Sequence, residues 1–387
     1  MRVACICTHY TTVPPVMGGA VQTHIAGIVP YLSRVHHVTV ACTRLRHLPD
    51  VEERDGVRYV RLPAVSEAAY ARRVTHWLRG EHFDLIHIFN RPAWVVPFSY
   101  ASPRSKIVLR IHNAMFEPHK LPWEDALACL DRVDAIDTVS DYMARTITAR
   151  YPHAAPKIRT IYTGVDLVRF APVWSSRGQD MRFLMRQRLG LGSEPVVLYV
   201  GRLSEVKGTD VLIAAMHHIV AEVPDAVLVV VGSRWFGSSE RSEYVERLER
   251  QAEELGDRVR FTGYIPALEI ERAYAAADVF VCPSRWEEPL ARVHFEAMAA
   301  GLPIVSSRRG GNPEVVFPGV NGWLVDDCEN PVAFAEAVIG LLKDPARRRQ
   351  MGEAGRQMVE ARFTWYRAAA ETLDVYDRVG RQPAPDG

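Results

Sequence analysis

Short runs of uninterrupted apolar residues, each followed by a turn and a stretch of helical spacing, recur throughout this 387-residue chain. Strands that are apolar at every position, with helices between them, belong in a parallel sheet covered on both faces. On this basis strands are expected at 3–8 (VACICT), 37–43, 57–63, 84–89, 106–111, 135–140 and 157–163. The same pattern restarts at 195 and continues through 226–233, 258–266 and 279–282. Helices are expected at 67–79, 122–132, 239–255, 330–343 and 345–360, among others. The fold class is therefore α/β. Its domains would be residues 1–170, a polar linker at 171–194 with a short helix at 179–189, and residues 195–360. A helix at 361–380 would follow, then a disordered tail at 381–387 (RQPAPDG).

Hydrophobic residues make up 48% of the chain and charged ones 24%, enough for two full cores. A net charge of +1 argues against a nucleic-acid partner. The six cysteines include no C-x-x-C pair and fall mostly in apolar strands, so they read as buried thiols in a reducing compartment, the cytoplasm. The amino-terminal MRVACICTHY reads as a strand, not a signal peptide, and no apolar run reaches membrane-spanning length. Arg44, Arg46, His47, Arg72 and Arg73 form basic stretches, either solvated surface or a place for peripheral contact with an anionic lipid or polymer.

Polar chemistry gathers where strands end. Residues 279–301 (VFVCPSRWEEPLARVHFEAMAAG) read as a buried strand, a polar turn and a helix, with Pro289 suited to the helix's first turn. Ligands of α/β sheets, anionic ones above all, bind where a strand's carboxyl end meets a helix amino terminus. If Glu288 and Glu296 share one helix face, they stand about 12 Å apart. That spacing fits either two solvated glutamates or a carboxylate at each end of an elongated ligand. In PVVLYVGRLSEVKG (195–208), Arg202 and Lys207 flank a turn at a second such junction, as a solvated basic turn or as a diphosphate clamp. Gly18 and Gly19 precede a helix after the first strand, a plain turn or a phosphate cradle. Strand ends at 87–92 (HIFNRP) and 110–114 (RIHNA) carry His87, Asn90, Arg91 and His112.

Taken together, these stretches resemble the family 4 retaining glycosyltransferases of the GT-B fold. Their signature, W-E-E-P-F-G-R-V-x-x-E, stands here as Trp286-Glu287-Glu288-Pro289-Leu290-Ala291-Arg292-Val293-His294-Phe295-Glu296, departing at Leu290 and Ala291. G-R-L-x-x-x-K-G covers 201–208 and G-G-x-P-E covers 310–314. HIFNRP also resembles sugar transferases of spore coats and aminoglycoside antibiotic pathways.

The resemblance implies two Rossmann-like domains facing across a cleft, acceptor on the first and nucleotide-sugar donor on the second, with the last helix crossing back to the first. It implies that Arg202 and Lys207 neutralise the donor diphosphate, helped by the backbone at Leu290, Ala291, Arg292 and Val293. Glu296 would hold the ribose, and Glu288 and His112 the transferred sugar. Gly18 and Gly19 would approach the donor, with Gly232 and Ile265 lining its site. Asn90 and Arg91, with His87, would line the acceptor side. A UDP-sugar is the default donor, with GDP and ADP sugars open. No Asp-x-Asp occurs, so neither a metal nor another cofactor is expected. The acceptor would be a sugar, glycan, lipid or small molecule. Three rival readings are a non-catalytic transferase-like binding protein, a nucleotide-sugar epimerase and a sugar phosphorylase using pyridoxal phosphate.

Overall fold

The computed structural model describes residues 1–233 and 242–381, and the chain divides into two compact units. The first comprises Met1–Gly164 together with the chain from Trp365 on; the second is Val165–Thr364. The expected tail lies outside the described residues apart from Arg381, and the helix expected at 239–255 is described from Glu243.

In the first unit the strands are β1 (Arg2–Ile6), β2 (His37–Thr43), β3 (Val51–Arg54), β4 (Val57–Leu62), β5 (Leu85–Phe89), β6 (Lys106–Ile111), β7 (Ala135–Thr138) and β8 (Ile158–Thr160). They lie in the order β3-β4-β2-β1-β5-β6-β7-β8, all parallel except the β3–β4 pair. β5 is buried at all five positions, as its apolar run requires. β3 escaped sequence reading because its residues, Val-Glu-Glu-Arg, are mostly exposed at a sheet edge. The available signal was Asp55-Gly56, both at positive φ, which joins β3 to β4 as a two-residue hairpin turn.

The final helix, Trp365–Gly380, completes this unit's core. Ala368, Ala369, Val375, Tyr376 and Val379 pack with Val3, Cys5, Ile25 and Ile28. Trp365 covers Gly27 so closely that a methyl there would overlap the indole.

In the second unit the strands are β9 (Val196–Val200), β10 (Val227–Val231), β11 (Val259–Gly263), β12 (Val279–Cys282), β13 (Ile304–Ser307) and β14 (Gly322–Val325). Their order is β11-β10-β9-β12-β13-β14, all parallel. This is a doubly wound sheet whose strand order reverses between β9 and β12, the place where such sheets bind ligands. Residues 171–194, read as a linker, contain the helix Ser176–Arg188, which is fastened to this unit. Arg182 donates to Asp278 (2.9 Å) and the Ala277 carbonyl (2.7 Å), and Arg186 to the Ala276 carbonyl (2.8 Å).

All six cysteines are buried and unpaired. Among the described residues, no helix is long and apolar enough to cross a membrane, and no group of three His, Cys, Asp or Glu is placed to hold a metal.

Candidate functional site

The loops leaving β9 and β12 meet at the reversal point of the second unit. Gly208 caps the helix Thr209–Glu222 in the left-handed conformation (φ 68°), and a side chain there would overlap the Pro283 carbonyl. The Val206 carbonyl accepts from the Arg285 backbone N–H (2.9 Å) and lies 3.2 Å from Ser284 Oγ. Arg285 then grips Asp210 with two bonds of 2.7 Å. Such bidentate pairing fixes orientation as well as distance.

This joint brings Lys207 to Glu288. Lys207 Nζ donates to Glu288 Oε1, Ser284 Oγ donates to the same oxygen at 2.6 Å, and the ammonium lies 5.7 Å from the centre of the Trp286 ring. Glu288 is 4% exposed, which excludes the solvated-glutamate reading. A buried carboxylate persists when cations and hydroxyls replace its water.

Glu288 does not lie on the helix, however. That helix is Arg292–Ala299, capped by Ala291, so Pro289 precedes it by three residues and the spacing estimate for two glutamates on one face fails. The reason is a tertiary bond: the Glu288 carbonyl accepts from Gly311 N–H (2.7 Å) instead of serving a helical turn. Gly310 N–H also donates to Glu287 Oε2 (2.6 Å), and Arg309 pairs with Glu287 Oε1 (3.1 Å). The Gly-Gly-Asn-Pro-Glu segment is thus a strut beneath Glu288. Asn312 ties it to β13 through Ser306 Oγ (3.3 Å).

Ala291, where the family usually has glycine, has φ −73° and ψ 113°, ordinary for any residue. Glu296 is 4% exposed and accepts from Tyr274 Oη at Oε2 (2.7 Å) and from Arg292 at Oε1. Arg202 is half-buried after β9, its carbonyl accepting from Tyr199 Oη (2.8 Å). Gly232 ends β10 against the Gly201 carbonyl with no room for a side chain. Ile265 is buried beyond β11, and Leu290 and Val293 are half-buried. His294 is buried against Ser306 Oγ (3.1 Å), and burial pushes its pKa down to about 4, so it is neutral at ordinary pH.

The first unit gathers a second group at its own strand ends. His112 follows β6 and is half-buried. Asn90, at φ 58°, accepts at Oδ1 from the backbone N–H groups of His112 (3.0 Å) and Asn113 (3.3 Å), so this side chain holds the turn carrying His112. Arg91 is 5% exposed, its Nε 3.0 Å from Glu67 and its guanidinium near the Tyr10 and Trp94 rings. His87, read as lining the acceptor side, instead lies wholly inside the sheet, because β5 is covered on both faces. Gly18 and Gly19 precede the helix Ala20–Leu32, and Gln22 of that helix donates to Thr8 Oγ1 (2.9 Å).

Several side chains that sequence reading did not single out support these groups: Ser284 and Trp286 around Glu288, Tyr274 on Glu296, and Arg110 with Asp137 beside His112. Arg110 and Asp137 did leave a signal, a charge inside an otherwise apolar strand.

The description "Glycosyl transferases group 1" matches residues 181–358, and "Glycosyltransferase Family 4" matches residues 17–169. Spore coat protein SA of Bacillus subtilis is 43% identical over 378 residues, spanning 98% of this chain and 100% of its own. A GDP-mannose-dependent alpha-(1-6)-phosphatidylinositol monomannoside mannosyltransferase of Mycolicibacterium smegmatis is 34% identical, covering 96% of this chain and 97% of its own. Among solved structures, sucrose-phosphate synthase from Thermosynechococcus elongatus superposes with a TM-score of 0.79 at 28% identity over 98% of both chains.

Proposed function

This chain belongs to the family 4 glycosyltransferases of the GT-B type, and from that premise we propose that it moves a sugar from a nucleoside diphosphate sugar to an acceptor hydroxyl, with retention of anomeric configuration and without a metal ion. The observation that carries this reading is the joint at the β9–β12 reversal. There Lys207, Glu288 and the amino terminus of the helix Thr209–Glu222 meet.

The costly event is departure of a diphosphate. Arg202, Lys207 and the backbone amides from Leu290 to Val293 are assigned to the charge that develops on it. Lys207 has three donors and spends one on Glu288, so the ammonium can serve both carboxylate and phosphate. Lys207 and Ser284 both bond Glu288 at Oε1, which suits Oε2 for the sugar's hydroxyls. Glu296 is assigned to the ribose and His112 to the transferred sugar. The bond from the anomeric carbon to the phosphate oxygen breaks, and the acceptor oxygen bonds to that carbon on the same face. The acceptor's proton passes to the departing phosphate. UDP is the first candidate base. GDP is the second, favoured by the mannosyltransferase relative.

Thermal shifts with UDP, GDP, ADP and TDP, each with and without magnesium, test the donor side. One nucleotide is expected to raise the midpoint without metal, and Glu296→Ala to abolish the shift. Stabilisation only in the presence of magnesium overturns the metal-independent reading. Retention is read from the product anomer by NMR, and a glycosyl adduct on Glu288 seen by mass spectrometry overturns the single-step account. Tyr274→Phe should weaken nucleotide binding by about fivefold, because Glu296 keeps Arg292 but loses one hydrogen bond that orients it. An unchanged Kd in isothermal titration would remove Tyr274 from that role.

A further inference from the structure

A buried arginine and aspartate stand in the middle of the first unit's apolar sheet, and simple stability does not explain them. Replacing such a pair by apolar residues is often neutral or favourable. Arg110 on β6 is 0% exposed and Asp137 on β7 is 1% exposed.

Each of the three guanidinium nitrogens of Arg110 has a defined partner. Its NH1 donates to Asp137 Oδ2, NH2 to the Ile161 carbonyl (2.9 Å), and Nε to His112 Nε2 (3.2 Å). Behind it, His87 Nε2 lies 3.2 Å from Asp137 Oδ1, and His87 Nδ1 lies 2.8 Å from Tyr376 Oη on the final helix. A guanidinium can only donate. The His112 nitrogen it faces must therefore accept, and in a neutral imidazole the proton then sits on Nδ1.

We propose that Arg110 is a positioning residue for sugar transfer: it fixes His112 as the Nδ1–H tautomer, so that the ring offers the sugar a hydrogen-bond donor, and the Asp137–His87–Tyr376 chain holds Arg110 in place. This rests on the assignment of His112 to the transferred sugar.

The surrounding charges agree. Burial, and after it the Arg110 guanidinium, push the His112 pKa well below the usual histidine value, against a smaller opposing pull from Asp137. Burial alone would raise the Asp137 carboxyl, but Arg110 and His87 hold it down at about 2. His87 adds a small further depression of His112; His24 stands against the ring, with centroids 5.4 Å apart, and Glu371 feels Arg110 from the final helix. His112 thus stays uncharged through neutral pH and is unsuited to act as a general acid.

Nitrogen-15 correlation spectra of the His112 ring in the wild-type protein test the tautomer directly. An Nδ1–H tautomer unchanged from about pH 5.5 to 8 is expected; an Nε2–H tautomer, or titration near the ordinary histidine value of about 6.5, overturns the inference. The positioning claim is read from an Arg110→Met/Asp137→Asn double variant, which removes both buried charges together. Its kcat for nucleotide release should fall about tenfold. The nucleotide Kd should stay within about twofold, and the nitrogen-15 spectra should lose the single Nδ1–H tautomer, because burial, which still keeps the ring neutral, does not choose between its two nitrogens. An unchanged kcat and an unchanged tautomer overturn the claim. If that variant does not fold, Tyr376→Phe, which removes only the far hydroxyl, should lower kcat about threefold at constant Kd; an unchanged kcat there overturns the chain's supporting role. His112→Ala separates the two readings. Full activity in that variant sinks the role proposed for His112, whereas lost activity alongside an Nε2–H tautomer in wild type sinks the inference about Arg110 alone.

Discussion

Lys207→Ala is expected to lower the rate of nucleotide release from the donor sugar by about a thousandfold, the upper range for losing one preorganised stabiliser of a developing anion. The effect should be large because Lys207 does two things at once. Its ammonium is the cation at the β9–β12 reversal that is bonded to Glu288, and it is the group assigned to the departing diphosphate. Without it, the Glu288 carboxylate keeps the Ser284 hydroxyl as its neutral partner while remaining almost wholly buried. Leaving one member of a buried ion pair behind typically costs about 3–5 kcal/mol, so the melting temperature of the variant should fall as well. Lys207→Met separates the two consequences, since it fills a similar space over Trp286 without the charge. Lys207→Arg should recover little, because a planar fork does not replace a compact ammonium between a carboxylate and a phosphate. Steady-state assays of the three variants, with the melting temperature followed in parallel, decide the matter. A loss of less than tenfold in Lys207→Ala would remove the lysine from the chemistry and leave it as Glu288's structural partner.

The sequence made parts of this site readable for physical reasons. β9 and β12 are apolar at nearly every residue because both faces of the sheet are covered, and Gly208 sits where the backbone approaches the Pro283 carbonyl too closely for a side chain. What spacing could not convey was partnership across the chain. Glu288 looked as much like a solvated glutamate as a ligand group because its cationic partner comes 81 residues earlier. The helix start was misplaced at Pro289 because local propensity carries no information about Gly311, which takes the Glu288 carbonyl. His87 was misread for the opposite reason. A polar residue in a strand looks like a surface group until its partners, Asp137 and Tyr376, are known to lie 50 and 289 residues away.

Gly310→Ala tests whether the strut beneath Glu288 matters to catalysis or only to folding. Gly310 has φ 55°, and a methyl group on it would overlap the Glu288 carbonyl oxygen and crowd the carbonyl carbon and amide nitrogen of the same residue. The left-handed backbone alone costs an alanine about 1–2 kcal/mol. Relieving the overlap must also push Glu288 away or break the Gly311 bond that fixes it. Gly319→Ala is the matched control, because Gly319 has a similar φ of 79° and nothing within 4 Å of where the methyl would go. Gly319→Ala should melt at a temperature lower by roughly 2–8 °C, as 1–2 kcal/mol implies for a unit of this size, and Gly310→Ala lower still because of the overlap. Only Gly310→Ala should lose turnover, by about a hundredfold, since shifting the carboxylate assigned to the transferred sugar by an ångström carries that penalty. Nucleotide affinity should fall far less, because Glu296 is held by Tyr274 and Arg292 and not by the strut. Equal activities in the two alanine variants would mean that Glu288 tolerates displacement, and the carboxylate would then have no part in orienting the transferred sugar. A loss confined to Gly310→Ala would assign the Gly-Gly-Asn-Pro-Glu segment its purpose: it holds the Glu288 backbone out of the following helix, where the side chain can meet Lys207 and the donor together.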